Sequence, residues 1–327
     1  MSNTIRISVL LPVYNAENFI AHSVQSILHQ TESNFELLII DDCSTDGTCL
    51  ILESFKDSRI TIYKKERNTG YTESLNWGIN LAKGKYIARM DADDWSYPER
   101  FQKQYDFLEA NPDIAICGTD AQVMHSDFKF NYPLDNDAIR TNLLFGSSLI
   151  HPSIMGQRKF FADFMYDPSK EPAEDYDLFV RLAIAGEKLA NLKEVLLKYR
   201  AHKGQVSSTS KNKQKISANI TMLNIYSQLE YDRNEFTNDL IINAICPKEK
   251  ISLDELKRTL SWYRTLNDTD GFFKKHLLIK ALKRKKYNLI IFYIKNNHLQ
   301  EGDFSTRLKL ELFKLNPIWF FKLLFKV

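Results

Sequence analysis

The sequence predicts an α/β fold with a mainly parallel central sheet, followed by a helical C-terminal region. Strand-type apolar runs alternate with helix-type segments over residues 5–91, two of the runs end in aspartates, and no strand pattern remains beyond about residue 209. This alternation favours parallel strands joined by right-handed helical crossovers. We therefore divide the 327 residues into an α/β domain at 1–208 and a basic, mostly helical region at 209–327.

Four strand-type runs come first along the chain. Their apolar residues are continuous, which is typical of strands that are covered by helices on both faces of a sheet. In chain order the runs read IRISVLLPVY, FELLIIDD, RITIYKKE and KYIARMD.

Helix-type segments separate these strands. The first, AENFIAHSVQSILHQ, has Ile20, Val24 and Ile27 at helical spacing. STDGTCLILESF and TESLNWGINLAKG follow, and we assign Gly84 as the C-cap of the latter. Over residues 113–200 the pattern loosens into shorter strands and loops, with a helix at EPAEDYDLFVRLAIAG and a closing strand at EVLLKYRAH.

Charge is divided unevenly along the chain. There are 21 Lys and Arg against 29 Asp and Glu up to His202, and 23 against 12 from Lys203 onward. Two regions with different partners are the natural inference. The four cysteines form no metal-type pairs, which predicts a reduced protein without disulfides or zinc. Because we find neither a signal-peptide pattern nor an apolar span of about 18 residues, we expect a cytoplasmic protein.

A cluster of acids follows the fourth strand-type run, at Asp91, Asp93 and Asp94. Ligands of parallel sheets bind beyond the carboxyl ends of the strands, so this cluster is expected at the functional edge. Neighbouring carboxylates repel one another, and a hard divalent cation with oxygen ligands would relieve that repulsion. The alternative is a solvated acidic turn, with Asp94 capping the next helix.

Two further acid pairs have two interpretations each. A carboxylate of Asp41 or Asp42, at the end of the second run, could accept the imide N–H of a uracil, or the pair could simply form a turn. Glu174 and Asp175 begin a predicted helix. They could supply a general base for an attacking hydroxyl, or merely favour the helix dipole.

Four stretches in order then combine these signals: VLLPVYNAENFIAHSVQSILHQT, FELLIIDDCSTDGT, NTGYTESLNWGINLAKGKYIARMDADDWSYPERF and EDYDLFVRL. Their order and spacing resemble those of the inverting family 2 glycosyltransferases, which have the GT-A fold. The resemblance covers roughly residues 5–206 and leaves out the basic C-terminal third. It implies a Rossmann-like GT-A domain and a hexosyltransferase-type activity.

The resemblance also implies site residues. Asp42 reads the uracil, Asp93 is the direct metal ligand with Asp91 nearer the ribose, and Asp175 is the catalytic base. The residues implied to bind the nucleotide sugar are Pro12, Val13, Tyr14, Asp41, Asp42, Asn68, Gly70, Asp91 and Ala92. The implied metal ligands are Asp93, Asp91 and His202, the implied metal is Mn²⁺ or Mg²⁺, and Glu174 and His151 are assigned to the acceptor side.

Some of these positions are less regular. His202 and Gln205 lie in RAHKGQVSS, which resembles the segment that folds over the donor, although a surface loop is the alternative. A structural histidine is the alternative for His151. Cys43 stands where the family usually has glycine, which indicates a turn that needs no positive φ.

We therefore expect a metal-dependent inverting glycosyltransferase that moves a sugar from a UDP-sugar to a hydroxyl of a glycan or lipid-linked acceptor, in bacterial surface polysaccharide synthesis. A sugar-nucleotide nucleotidyltransferase is one alternative, but it would need a glycine-rich basic loop, and PVYNAENF contains neither glycine nor base. A non-catalytic nucleotide-binding scaffold is the other, and loss of Asp93 or Asp175 would be its mark.

The basic C-terminal region predicts a partner of its own. GFFKKHLLIKALKRKK and NPIWFFKLLFKV combine aromatic and apolar residues with lysines, as do helices that lie in a membrane interface. We expect an anionic membrane surface as the partner, at the inner face of the cytoplasmic membrane, and no nucleic acid. The alternative is that these apolar residues pack against the first domain or in a homodimer.

Overall fold

The computed structural model describes residues 4–202, 205, 210–245 and 251–296. Its backbone divides into two compact units, Met1–Thr221 and Met222–Val327. This division lies within a helix, whereas we predicted a boundary after residue 208 from the sequence. The assignment of separate functions to the regions 1–208 and 209–327 stays a prediction.

A mixed sheet forms the centre of the first unit, and the described residues give it eight strands in the order β3-β2-β1-β4-β7-β6-β8-β5. The strands are β1 (Ile7–Val13), β2 (Phe35–Asp41), β3 (Ile60–Lys64), β4 (Tyr86–Arg89), β5 (Trp95–Ser96), β6 (Ile114–Val123), β7 (Met155–Gln157) and β8 (Lys188–Tyr199). β1 to β4 pair in parallel, and β7 is antiparallel to both β4 and β6. The predicted α/β class is confirmed, with a parallel half that continues into a mixed half.

Helices cover this sheet. They are α1 (Ile20–Leu28), α2 (Thr48–Ser54), α3 (Tyr71–Leu81), α4 (Arg100–Ala110), α5 (Asn136–Leu143), α6 (Arg158–Phe164) and α7 (Glu174–Ile184), with short 3-10 helices at His151–Ser153 and Pro168–Lys170. The helical spacing predicted for Ile20, Val24 and Ile27 is confirmed, since all three side chains are fully buried against the sheet. Continuous burial along β1 and β2 explains their uninterrupted apolar sequences.

Helices make up most of the described residues of the second unit. Helix α8 (Lys211–Tyr226) leads into it, and α9 (Asn238–Ile245), α10 (Leu253–Thr265) and α11 (Lys275–Asn296) follow. Ser252 and Glu255 form a capping box at the start of α10. Trp262 of α10 is fully buried, and its ring contacts Tyr226 and Tyr231. The predicted helical C-terminal region is therefore confirmed for these residues.

The basic helix α11 keeps its apolar side inside the second unit. Phe273, Leu278 and Leu282 are buried there, while most of the neighbouring lysines are exposed. Across residues 4–202, 205, 210–245 and 251–296, none of the helices combines the length and the apolar character that crossing a membrane requires. The second predicted membrane segment, NPIWFFKLLFKV, lies outside the described residues.

Gly84 has a different role from the one we assigned to it. Helix α3 ends at Leu81 with Ala82 as its C-cap. A Cβ at Gly84 would lie 2.5 Å from the backbone nitrogen of Ser8 and 2.8 Å from the carbonyl carbon of Ile7. Glycine is therefore required because the chain passes directly against the backbone of β1, and the predicted C-cap is wrong.

The turn after β2 also differs from what we predicted. Cys43 has a φ of 65°, in the left-handed region that favours glycine, so this turn does need a positive φ. The thiol of Cys43 is only half-buried and its one described contact is a long one, 3.7 Å from its Sγ to the Glu66 carbonyl. Little packing thus compensates for the backbone strain.

We predict that Cys43→Gly stabilises the fold. Relief of the left-handed strain, which is about 1–2 kcal/mol for a non-glycine residue, should exceed the added entropy of the unfolded chain and leave a net gain of up to about 1 kcal/mol. Urea unfolding measures the change. Cys49→Gly, in the first turn of α2, is the matched control and should lose stability, because glycine is a poor helix former and the thiol hydrogen bond to Asp41 is removed. A loss of stability in Cys43→Gly would contradict the strain argument.

Candidate active site

The carboxyl ends of β1, β2 and β4 open onto one cavity of about 710 Å³. The residues predicted to bind nucleotide that line it are Pro12, Val13, Tyr14, Asp42, Asn68, Gly70, Asp91 and Ala92. The residues predicted for metal, acceptor and catalysis that line it are Asp93, His151, Glu174, Asp175 and His202. The fold thus brings together every predicted site residue except Asp41.

Three carboxyl groups gather directly after β4. Asp91, Asp93 and Asp94 each offer an oxygen, and these oxygens lie within 4.8 Å of one another. Burial and then the charges of Asp91 and Asp93 raise the pKa of Asp94 well above its usual value. Its Oδ1 accepts from the Arg200 backbone N–H at 2.8 Å, whereas its buried Oδ2 has no hydrogen-bond partner among the described residues. Three carboxyl groups this close together fit a divalent cation, because hard cations prefer oxygen ligands.

Arg89 supplies positive charge beneath this cluster. Its buried side chain forms an ion pair with Asp91 through Nη2, and its guanidinium lies 5.2 Å from the centre of the Tyr71 ring. Its Nε and Nη1 are buried and have no hydrogen-bond partner within the described part of the chain. The guanidinium therefore acts mainly through its charge, which favours the ionised forms of the surrounding carboxyl groups.

Asp42 organises the loop before α3. Its Oδ1 accepts from Lys65 Nζ at 3.0 Å and from the Thr69 backbone N–H at 2.9 Å, and its Oδ2 accepts from the Gly70 N–H at 2.9 Å. Since each carboxylate oxygen can accept two hydrogen bonds, Oδ2 keeps capacity for a further donor. Gly70, at a φ of 100°, gives the chain the turn that begins α3.

Asp41 lies apart from this cavity. Its carboxylate accepts from the Ser44 backbone N–H at 3.3–3.4 Å and from the Cys49 thiol at 3.3 Å. Successive side chains of an extended strand point to opposite faces, so Asp41 and Asp42 diverge. This geometry favours a turn-stabilising role for Asp41 in place of the nucleotide contact that we expected.

Glu174 and Asp175 begin α7 at the far side of the cavity. Burial and then the charge of Asp175 raise the pKa of Glu174 to about 8, so Glu174 holds its proton at neutral pH. Burial also raises the pKa of Asp175, and Arg89 opposes that shift. One acid of the pair is thus kept neutral, and Asp175 is the member of the pair that is suited to accept a proton.

His151 lies on the cavity floor beside Glu174. Its Nε2 shares a 2.9 Å hydrogen bond with the Tyr166 hydroxyl, and its Nδ1 lies 3.9 Å from Glu174 Oε1. Burial, with Arg89 nearby, lowers the pKa of His151 well below its usual value. The ring is therefore neutral and positioned by Tyr166, which favours the structural alternative for this histidine.

His202 reaches back to the aspartates from beyond β8. Its Nε2 lies 2.8 Å from Asp93 Oδ2, and its ring packs 5.0 Å from the Phe19 ring. Arg200 donates from Nε to the Asp93 carbonyl at 2.7 Å, which holds the two segments together. His202 thus lies beside Asp93, whereas the group whose oxygens all lie within 4.8 Å of one another is Asp91, Asp93 and Asp94.

Arg89, Tyr71 and Tyr132 also line the cavity, and sequence reasoning missed all three. For Arg89 a signal was available, since it is the one charged residue inside the apolar run YIARM and stands two residues before Asp91 on the strand. Tyr71 stacks on Arg89, and its hydroxyl lies 3.4 Å from Asp91 Oδ1. That contact joins residues distant in sequence, so no local pattern indicates it.

Comparison with known proteins gives a consistent family. Residues 8–164 match the model of Glycosyl transferase family 2. An uncharacterised glycosyltransferase of Haemophilus influenzae is 31% identical over 315 residues, which is 91% of this chain and 95% of that protein. One of Methanocaldococcus jannaschii is 31% identical over 213 residues, or 59% of this chain and 70% of that protein.

Solved structures share the fold at low identity. TarS of S. aureus, crystallised with UDP-GlcNAc, superposes with a TM-score of 0.60 at 14% identity and covers 90% of this chain and 93% of its own. The mannosyltransferase PcManGT of Pyrobaculum calidifontis, in complex with GDP-Man and Mn²⁺, gives 0.51 at 15% identity, with 89% and 87% covered. The GT-A-like architecture is therefore shared with both proteins.

The raised pKa of Glu174 predicts a pH-dependent stability. Between its ordinary value of 4.5 and about 8, the folded chain keeps a proton that the unfolded chain has lost, so the free energy of unfolding falls as pH rises through this range. Glu174→Gln removes this titration. Its melting temperature should exceed that of the wild type by a gap that widens between pH 5 and pH 8.5 to roughly 2 °C or more.

Melting curves recorded in EDTA keep metal binding out of this comparison. Glu73→Gln changes an exposed acid of α3 and serves as the control, with no widening expected. A gap for Glu174→Gln that stays constant with pH would contradict the assignment of a neutral Glu174.

Proposed function

The chain belongs to glycosyl transferase family 2, and we propose that it is a metal-dependent inverting enzyme that transfers a sugar from a UDP-sugar to a hydroxyl group of a glycan or lipid-linked acceptor. One observation carries this proposal. The Asp91–Asp93 pair and Asp175 face the same cavity, with the ends of β1 and β2 at its edge. Such a site can bind the diphosphate of the donor and can also place a catalytic base beside the acceptor.

The reaction is a single displacement at the anomeric carbon of the donor. Asp175 removes the proton from the acceptor hydroxyl, whose oxygen attacks as the bond to UDP breaks, so the configuration inverts and an α-linked donor gives a β-linkage. Asp91 and Asp93, with His202 as a further ligand, would hold Mn²⁺ or Mg²⁺. The chemistry that this ion supplies when bound is neutralisation of charge on the departing diphosphate.

The neutral Glu174 supports the role of Asp175. If both adjacent acids were ionised, each would raise the pKa of the other and hinder catalysis at neutral pH. With the proton held by Glu174, the Arg89 charge favours an ionised Asp175. Asp175 is therefore the member of the pair that we propose as the base.

We assign nucleotide binding to the end of the cavity where β1 and β2 end. Pro12, Val13 and the half-exposed Tyr14 offer apolar surface for a base and ribose, and Asp42 keeps one free acceptor position for the imide N–H of uracil. TarS binds UDP-GlcNAc, whereas PcManGT binds GDP-Man, so a donor screen must contain both nucleotides. Uridine preference is the outcome that this proposal requires.

We propose in addition that the second unit attracts an anionic membrane surface, where a lipid-linked acceptor would lie, at the inner face of the cytoplasmic membrane. Leu278 and Leu282 of α11 are buried and Ile279 is its exposed large apolar side chain, so the exposed lysines, such as Lys280 and Lys283, would act mainly by charge rather than by insertion. Pairing with a second copy is the alternative. Co-sedimentation with anionic liposomes at low and high salt distinguishes membrane binding from pairing with a second copy.

Asp175→Asn should separate chemistry from binding. The amide keeps the size of the side chain but cannot accept the proton, so transfer should fall by about 10² or more while UDP affinity stays within twofold. Turnover is measured as sugar transfer to a lipid and glycan extract, and UDP affinity by calorimetry. Asp163→Asn, an exposed acid of α6, is the control. Transfer near the wild-type rate would place the base elsewhere, with Glu174 or Asp177 next in line.

Asp93→Ala should abolish metal-supported nucleotide binding. Removal of the carboxylate leaves Asp91 and His202 without the ligand between them, so UDP affinity should no longer rise when Mn²⁺ is added, and EDTA should stop turnover of the wild type. Asp163→Ala should keep the Mn²⁺ effect. Undiminished wild-type turnover in excess EDTA would contradict metal dependence.

A further inference from the structure

Three aromatic side chains alternate along an extended segment that follows β6. Phe128, Phe130 and Tyr132, which we call the aromatic strip, are spaced two residues apart, so an extended backbone puts them on one face. The segment folds back along β6, since the Val123 N–H donates to the Phe128 carbonyl at 2.9 Å and the Phe130 N–H donates to the Ala121 carbonyl at 2.9 Å.

Neighbouring rings of the strip lie close together. The centres of the Phe128 and Phe130 rings are 5.3 Å apart, and these rings meet edge to face with their planes at 84°. The centres of the Phe130 and Tyr132 rings are 6.2 Å apart, with ring planes only 6° from parallel. Tyr199 of β8 supports the middle of the strip, with its ring 5.8 Å from that of Phe130. These spacings are comparable with the width of a pyranose ring.

The strip runs from solvent to the proposed base. Phe128 is 59% exposed, whereas Phe130 and Tyr132 line the same cavity as Asp175. Burial and then the charge of Asp175 raise the pKa of the Tyr132 phenol, as expected for two groups that line one cavity. Phe130 and Tyr132 also pack on the core, but packing gives no reason for an exposed phenylalanine at the outer end.

We propose that the aromatic strip is the acceptor subsite and that it binds a saccharide of two or more sugar units. This inference rests on the proposed function for its account of Asp175. A sugar ring has an apolar C–H face and a rim of hydroxyl groups, so aromatic rings can cover the face and leave the rim in water. The terminal unit lies beside Tyr132 with its hydroxyl toward Asp175, and the next units lie on Phe130 and Phe128.

The position of the strip argues against a nucleotide as its occupant. The proposed nucleotide residues come from the ends of β1 and β2, whereas the strip comes from residues 128–132 and adjoins Asp175. Its lining is aromatic, without a lysine or arginine among its three members to meet a diphosphate. A neutral, extended ligand of repeating rings fits this surface better than a charged one.

The test uses the full chain and a set of defined mono- to tetrasaccharides on a glycan array, with saturation-transfer NMR for affinities. We expect the wild type to bind at least one tri- or tetrasaccharide about tenfold more tightly than its terminal monosaccharide. Phe128→Ala should remove most of that gain and leave monosaccharide binding unchanged within about twofold. Leu50→Ala, which truncates another exposed apolar side chain, should change neither affinity.

Hydrolysis of UDP- and GDP-sugars without acceptor is measured on the same variants and should be the same in Phe128→Ala as in the wild type. If neither the wild type nor the variants hydrolyse the sugar nucleotides, but oligosaccharide affinity still depends on Phe128, the proposed function is overturned. The role of the aromatic strip in saccharide binding is then still supported. Three results would overturn the strip: no oligosaccharide binding by the wild type, no dependence on length, or wild-type affinity in Phe128→Ala.

Discussion

The buried ion pair between Arg89 and Asp91 holds the whole site in place. Arg89 lies at the end of β4, where its charge is close enough to act on Asp91, Asp94 and the Glu174–Asp175 pair. Taking one partner from a buried ion pair leaves an uncompensated charge and typically costs about 3–5 kcal/mol. The carboxylates therefore stabilise the position of the Arg89 side chain, and Arg89 stabilises theirs.

A second buried arginine fixes the strand that carries this pair. Arg100, in the first turn of α4, is fully buried and donates from Nη2 to the Arg89 carbonyl at 2.6 Å. Burial and then the nearby Arg89 charge lower the pKa of Arg100 to about 9. Two cations therefore lie beneath the site, and even so the pKa of Asp94 is raised. Burial and the neighbouring aspartates therefore outweigh the opposing charge of Arg89 at Asp94.

The mixed half of the sheet is what turns this charged edge into an enclosed site. β7 pairs antiparallel with both β4 and β6, so the 3-10 helix that carries His151 lies beneath the aspartates. The same arrangement brings the start of α7 and the segment after β6 to the cavity that the parallel half opens. Residues that follow the parallel strands, such as Asp42, thus line one cavity with residues of the mixed half, such as Tyr132 and His151.

The sequence by itself determined the α/β class, the four parallel strands, the helical C-terminal region and most of the cavity residues. These are local signals: apolar runs mark the strands, and Asp42, Asp91, Asp93 and Asp175 stand at strand or helix ends, where the topology of a parallel sheet collects them. The sequence did not distinguish the roles of adjacent residues such as Asp41 and Asp42, because residue type does not show which face of the strand a side chain occupies.

Only the tertiary structure decided the remainder, because it depends on contacts between residues far apart in the chain. The close passage of Gly84 against β1, the positive φ of Cys43 and the ion pair of Arg89 beneath the aspartates arise when separate elements meet. The aromatic strip is visible in the sequence as alternate residues, but its proposed role depends on Asp175, which folding brings to the same cavity as Tyr132. Burial and neighbouring charge, which set the protonation of Glu174, exist only in the folded chain.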